Sequence, residues 1–262
     1  MISSTEARDR MLVKERLAVG QWVAPWLRHQ HQARYDWAAR KVAGRIVLDA
    51  ACANGYGSET LARGGAASVT GLDISFDPLV EARLTAPFSS FGLACASVTS
   101  LPFADETFDV FVSLETIEHV QDDAAYVAEA RRVVKRDGIL VCSTPNRRVL
   151  NPGRRLDHRP FNPFHIREYE PDELEKLLRV RFPHVRLFGQ SSYGKRYVAG
   201  LAAVGARLPM TAVRIHQLRK VAGIPLERRA RHQPRPLPFV DGGEPEVLIA
   251  LCSESREVVE RW

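Results

Sequence analysis

Between Asp49 and Ser58 the chain reads DAACANGYGS, a run of small residues that begins as the apolar stretch RIVLDA ends. Gly55 and Gly57 carry no side chain, and Ala51 and Ala53 carry the smallest, so the backbone there can lie directly against a bound molecule. In GLDIS, Asp73 closes the next apolar stretch 24 positions after Asp49. A carboxylate so placed can accept hydrogen bonds from both hydroxyls of an adenosine ribose. A nicotinamide site would add a third glycine, in G-x-G-x-x-G, to pack helix on strand, but Thr60 occupies that position. A third stretch, SLETIEHV, sets Glu115, Glu118 and His119 at positions i, i+3 and i+4. On a helical turn these three share one face, and two carboxylates beside an imidazole can hold a hard divalent cation. Facing carboxylates raise one another's pKa, a cost relieved by a cation or by a charged His119. Without a metal, His119 serves as a structural residue or a general base.

These groups need rigid elements to hold them. Apolar runs alternate with helical stretches, the pattern of a mostly parallel sheet covered on both faces. The spacing predicts strands over Ile46 to Ala50, Val69 to Asp73, Gly92 to Ala96, Val110 to Leu114 and Ile139 to Ser143. Helices are expected over Arg8 to Ala39 with a break at Pro25, and over Ser58 to Arg63, Pro78 to Thr85, Asp122 to Lys135 and Asp172 to Arg179. Two late runs, Val185 to Gly189 and Val247 to Cys252, are read as edge strands that complete the sheet. Between them, Ser191 to Gly243 is rich in Arg and Lys and holds only Glu227 and Asp241 as acids, so an insertion projecting from the sheet is expected. This divides the chain into an N-terminal helical cap (1–40), a core (41–190), the basic insertion (191–243), and a last strand with the C-terminus (244–262).

From about Tyr35 to Glu173 the motifs, in order and spacing, resemble the class I S-adenosylmethionine-dependent methyltransferases. The resemblance implies a Rossmann-like α/β fold with a mostly parallel seven-stranded sheet, and S-adenosyl-L-methionine as cofactor. It implies that the turn from Ala51 to Gly57, with Cys52, lines the methionine part, that Asp73 holds the ribose, and that Ser97 and Val98 lie against the adenine. Asp49, Ile74 and Leu114 join this cofactor-binding set, and Tyr35 or Arg34, on the preceding helix, is expected near the cofactor carboxylate. The family's first turn usually reads D-x-G-C-G-x-G, so Ala51 and Ala53 stand where it has glycines, and Ser97 stands where an Asp often meets the adenine amino group. Glu115, Glu118 and His119 are similar to the E-x-x-E-H segment of metal-dependent O-methyltransferases of ubiquinone synthesis and of small-RNA 2'-O-methyltransferases. In those a further histidine comes from downstream, and His165 in NPFHIREYEPDEL matches it. The metal set is therefore Glu115, Glu118, His119 and His165, taking Mg²⁺ or Mn²⁺. The catalytic set is Glu118, His119 and His165, either histidine being the base where no metal binds.

At 262 residues with 45% hydrophobic content, the chain can bury one substantial core. No apolar run reaches the ~20 residues of a membrane-spanning helix and the start MISSTEARDR is polar, so a cytoplasmic location is expected. Cys52, Cys95, Cys142 and Cys252 form no CxxC pair and read as reduced core thiols. The net charge of +6 suits an anionic partner or a lipid surface. The expected acceptor is a small molecule or an oligosaccharide, methylated on a sugar hydroxyl. An amino-sugar nitrogen and an RNA 2'-hydroxyl are the alternatives, although no RNA-binding module is recognisable, and nicotinamide-dependent oxidoreduction is the alternative of another class. The basic insertion leaves open a homodimer contact and peripheral membrane contact. Asp157, His158 and Arg159 lie in a loop where acceptor-binding groups of this fold are often carried.

Overall fold

The computed structural model describes residues 25–85, 91–191, 235–236 and 244–262. Along the chain come α1 (Pro25–Ala39), β1 (Ile46–Ala50), α2 (Tyr56–Arg63), β2 (Ser68–Asp73), α3 (Phe76–Thr85), β3 (Phe91–Cys95) and β4 (Phe108–Leu114). A 3-10 turn (Ile117–His119), α4 (Asp123–Val133), β5 (Val134–Pro145), α5 (Arg147–Leu150) and α6 (Pro171–Arg179) follow. The chain closes with β6 (His184–Gln190), β7 (Arg235–Pro236), β8 (Val247–Ser253) and α7 (Arg256–Arg261). The helix starts have local causes. Asp122 caps α4 by accepting from the Ala125 N–H at 2.9 Å, and α6 begins at Pro171, which has no N–H to leave unpaired.

The strands form one sheet in the order β3-β2-β1-β4-β5-β8-β6-β7. β3, β2, β1, β4 and β5 run parallel, whereas β8 is antiparallel to both β5 and β6. β8 is therefore an inner strand, buried along its whole length, and not the edge strand expected of it. Its continuous apolar run VLIALCS suits a strand covered on both faces. On one face Leu48, Phe111, Leu140 and Leu248 pack with Tyr126, Leu174 and Leu178 of α4 and α6. On the other, Val47, Val110, Ile139 and Ile249 pack with Tyr35, Ala38 and Leu61 of α1 and α2.

Residues 1–24, and with them the helix expected from Arg8, lie outside the described residues. So does the basic insertion apart from Ser191 and β7, which pairs antiparallel with β6 at Phe188 and Gly189. That short stretch lies along the sheet edge. Three cysteines are buried, but Cys95, the last residue of β3, is exposed, contrary to the expectation of four core thiols. No helix among the described residues is long and apolar enough to cross a membrane.

Strand order reverses between β1 and β4, which are parallel neighbours with Asp49 opposite Val112. Open α/β sheets bind ligands outside the carboxyl ends of the strands at such a point. The small-residue turn leaves β1 there and Glu115 follows β4 there, so the sequence motifs meet at the carboxyl ends of the central strands.

Candidate active site

Asp49 is fully buried beneath the turn. Its Oδ1 accepts from the Tyr35 hydroxyl at 2.9 Å and its Oδ2 from the Ser58 hydroxyl at 2.6 Å. The Tyr35 ring stands so close to Gly57 that a Cβ there would lie 2.0 Å from it. Gly57 is thus required by packing from α1, and Tyr35 acts as a brace and not as an open ligand contact. Ala51 and Ala53 take φ of 64° and 49°, the left-handed conformation that glycine adopts without cost and alanine does not.

Burial is the largest influence on the Asp49 carboxyl and pushes it from 3.8 to about 6; the Ser58 and Tyr35 hydroxyls oppose this, and the Asp73 charge adds to it. The folded chain then holds this proton to higher pH than the unfolded chain, so its contribution to stability is lost as the pH rises from about 4 to about 6. At about 1.4 kcal/mol per pH unit the loss is on the order of 3 kcal/mol. Asp49→Asn keeps an acceptor for Tyr35 and offers a donor to Ser58. Its unfolding free energy relative to wild type is expected to climb through that window and level off above it. A difference that stays constant from pH 4 to 7 would show that Asp49 ionises in the fold without cost.

Asp73 ends β2, is 3% exposed, and accepts from the Ala53 N–H at 3.0 Å and the Ser75 N–H at 2.9 Å. One carboxylate thus ties the turn after β1 to the end of β2. Ile74 beside it is 65% exposed, an apolar side chain held open next to the acid. Ser97 and Val98, after β3, are partly buried, with the Ser97 hydroxyl 2.7 Å from that of Thr99. Cys52 and Leu114 are buried in the core at the ends of β1 and β4.

Two buried groups near the turn keep polar atoms without a hydrogen bond among the described residues. Asn54 Oδ1 has no hydrogen-bond partner among the described residues, nor do Arg34 Nε and Nη2. Arg34 Nη1 donates to Gln190 Oε1 at 2.6 Å, and Nη2 stands 3.5 Å from Glu115 Oε1. A buried acceptor and a buried cationic donor fit the ammonium and carboxylate of an amino-acid-bearing cofactor such as S-adenosylmethionine. Asn54 belongs to the turn but has no signal of its own in the sequence, since an asparagine beside glycine reads as a turn former.

The second group of residues follows β4. Glu115 takes φ of 53° and precedes the 3-10 turn, which starts only at Ile117, so the three residues of SLETIEHV do not share one helical face. The Glu115 carboxylate accepts from the Ser143 hydroxyl at 2.7 Å and faces Arg34. Glu118, His119 and His165 do come together: each offers a ligand atom within 4.8 Å of the others, and Glu115 lies outside this set. Glu118 is buried. Its Oε2 accepts from the Thr144 hydroxyl at 2.9 Å, while its Oε1 has no hydrogen-bond partner among the described residues. Burial, above all, raises the Glu118 pKa well above the ordinary range; Glu115 adds to this and His165 opposes it. The two imidazoles meet edge to face with centroids 5.0 Å apart, and His119 Nδ1 lies 3.1 Å from the Phe164 carbonyl oxygen. His165 Nδ1 is 2.5 Å from Glu168 Oε1. Glu168, and Asn151 behind it, escaped the sequence reading; the only hint was an acid three positions after His165. Asp157, His158 and Arg159 are exposed on the loop that leads to His165.

Residues 48–142 match the family described as Methyltransferase domain. A relative from Mycolicibacterium smegmatis, described as a probable S-adenosylmethionine-dependent methyltransferase, is 35% identical over 204 residues, covering 78% of this chain and 75% of that protein. A Mycobacterium tuberculosis protein of the same description is 36% identical over 153 residues, and the chain spans 53% of its length. A ubiquinone biosynthesis O-methyltransferase of Pseudomonas paraeruginosa is 39% identical over 119 residues, covering 44% of this chain and 51% of that protein. Among solved structures, a SAM-dependent methyltransferase of Thermotoga maritima superposes with a TM-score of 0.59 at 15% identity, covering 88% of this chain and 93% of that one. The N-methyltransferase NodS of Bradyrhizobium japonicum, bound to S-adenosylhomocysteine, gives 0.56 at 18%, covering 70% and 91%. The two superpositions show the fold, and the sequence relatives replace the nicotinamide alternative with methyl transfer. This chain belongs to the class I S-adenosylmethionine-dependent methyltransferases.

Proposed function

We propose that the enzyme methylates a sugar hydroxyl of a glycan, glycoside or sugar-containing natural product, with a divalent cation held by Glu118, His119 and His165. The observation that carries this reading is the buried Glu118 Oε1, without a hydrogen-bond partner among the described residues, in a group of three ligand atoms within 4.8 Å of one another. An uncompensated carboxylate oxygen in such a place calls for a cation or a proton. Glu115 is better matched to Arg34, so the donor set is one carboxylate and two imidazoles. That mixture favours Mn²⁺ over Mg²⁺, because imidazole suits borderline cations and Mg²⁺ prefers an all-oxygen shell. Oxygen as the acceptor atom draws support from the similarity to the Pseudomonas paraeruginosa O-methyltransferase.

The cofactor supplies a methyl group on a sulfonium, already strongly electrophilic. The protein has to bind, align and remove a proton. Asp73 holds the ribose hydroxyls, Ile74, Ser97 and Val98 border the base, and Arg34 and Asn54 take the carboxylate and ammonium of the methionine end. The turn from Ala51 to Gly57, backed by the buried Cys52 and Leu114, sets the wall against which the cofactor lies. A bound cation would hold vicinal hydroxyls and lower the pKa of one of them. Glu118, His119 and His165 then orient the acceptor oxygen toward the methyl group.

A second reading, in which His165 is a general base without metal, is favoured by the contact between Glu168 and its Nδ1. Turnover on a panel of sugar acceptors after exhaustive chelation, followed by titration with Mn²⁺ and Mg²⁺, separates the two. Loss of activity and its return with Mn²⁺ at lower concentration than Mg²⁺ is expected. Full activity in the chelated enzyme would eliminate the cation and leave the histidines as bases.

A further inference from the structure

We propose that Glu168, itself anchored by Asn151, is a positioning residue that fixes His165 as the Nδ1–H tautomer and so presents the Nε2 lone pair at the Glu118 and His119 group. The inference rests on the reading of His165 as a ligand or base of this site. His165, Glu168 and Asn151 are all buried. The Phe161 N–H donates to Asn151 Oδ1 at 2.7 Å, which turns the Asn151 amide nitrogen toward Glu168, where it donates to Oε2. The other carboxylate oxygen, Oε1, faces His165 Nδ1 at 2.5 Å and accepts a hydrogen bond from its N–H. On the far side of the ring, the Phe164 N–H donates to Asn162 Oδ1 at 3.1 Å, so the Asn162 amide nitrogen is the atom 2.9 Å from His165 Nε2, and it donates there.

Both ends agree. A proton on Nε2 would collide with the Asn162 donor, and a lone pair on Nδ1 would face an acceptor. Each amide is oriented by a main-chain N–H, so the tautomer follows from the path of the loop. The Glu118 carbonyl accepts from the Ile166 and Arg167 N–H groups at 2.7 and 3.2 Å, which sets the His165 segment and the 3-10 turn in one frame. A carboxylate behind an imidazole is the arrangement that fixes ring orientation and raises basicity where histidine binds a metal. It serves a general base equally well. In either case Asn162 must release Nε2 when the cation or the proton arrives, so Asn162 holds the lone pair only in the resting enzyme.

Long-range ¹H–¹⁵N correlation spectra of the metal-free full chain labelled at histidine nitrogen read the tautomer directly. In the wild type His165 is expected as Nδ1–H with Nε2 unprotonated; an Nε2–H or doubly protonated ring would overturn the proposal, and no variant is needed for that decision. In Glu168→Gln the Asn151 amide still points at residue 168, so the new carbonyl turns to Asn151 and the new NH₂ turns to the ring. The Asn162 amide then has to release Nε2; the tautomer should invert to Nε2–H, and Mn²⁺ affinity measured by calorimetry should fall at least about tenfold. An unchanged tautomer in this variant would refute the role of Glu168. Inversion with no Mn²⁺ binding by either protein would keep the positioning role and remove the metal reading of His165.

Discussion

Asp73→Ala is expected to lower S-adenosylhomocysteine affinity about a hundredfold while the protein stays folded. Two charge-assisted hydrogen bonds to the ribose hydroxyls, at about 1.5 kcal/mol or more each, set that magnitude. The structure adds a second cause. The same carboxylate accepts from the Ala53 and Ser75 N–H groups, so its removal also unties the turn from β2 and leaves two backbone donors unpaired. Asp73→Asn, which keeps one acceptor oxygen, should lose less. Titration calorimetry decides the matter, and a folded Asp73→Ala protein that binds with wild-type affinity would remove Asp73 from the site.

Glu118→Gln should separate stability from activity. In the metal-free protein the buried carboxylate has one oxygen without a hydrogen bond and sits beside the Glu115 charge, so a neutral amide of the same shape is easier to bury. The melting temperature of the chelated variant should therefore rise above that of the chelated wild type. Its turnover at low Mn²⁺ should fall at least about tenfold and recover in part at high Mn²⁺, since mass action offsets a lost ligand. A variant that melts lower and turns over normally at every Mn²⁺ concentration would show Glu118 to be a structural acid held by Thr144.

The parallel half of the fold was legible because its strands are buried on both faces and read as apolar runs, each closed by a residue type with a distinct task. Asp49 and Asp73 could be placed at strand ends from the sequence, and β1 begins and ends where the apolar run does. The place of β8 was not legible. Its pattern announces a buried strand, but which neighbours it takes depends on the chain returning to fill the gap between β5 and β6.

The site divides in the same way. Sequence alone determined the small-residue turn after β1, the place of Asp73 at the end of β2 and the proximity of Glu118 to His119, because close approach and adjacent positions follow from local geometry. Tertiary structure decided everything that depends on what lies behind a side chain. The Tyr35 brace on Gly57 came from α1, as did the Tyr35 hydroxyl that, with that of Ser58, holds the buried Asp49 carboxylate. The positive φ of Glu115 and the nearby Arg34 took that acid out of the candidate metal group, although its spacing in the sequence had placed it there. The loop from Asn151 to Glu168 brought His165 to Glu118 and oriented its ring, and loop paths are set by tertiary packing and main-chain hydrogen bonds that leave no periodic mark on the residues that make them.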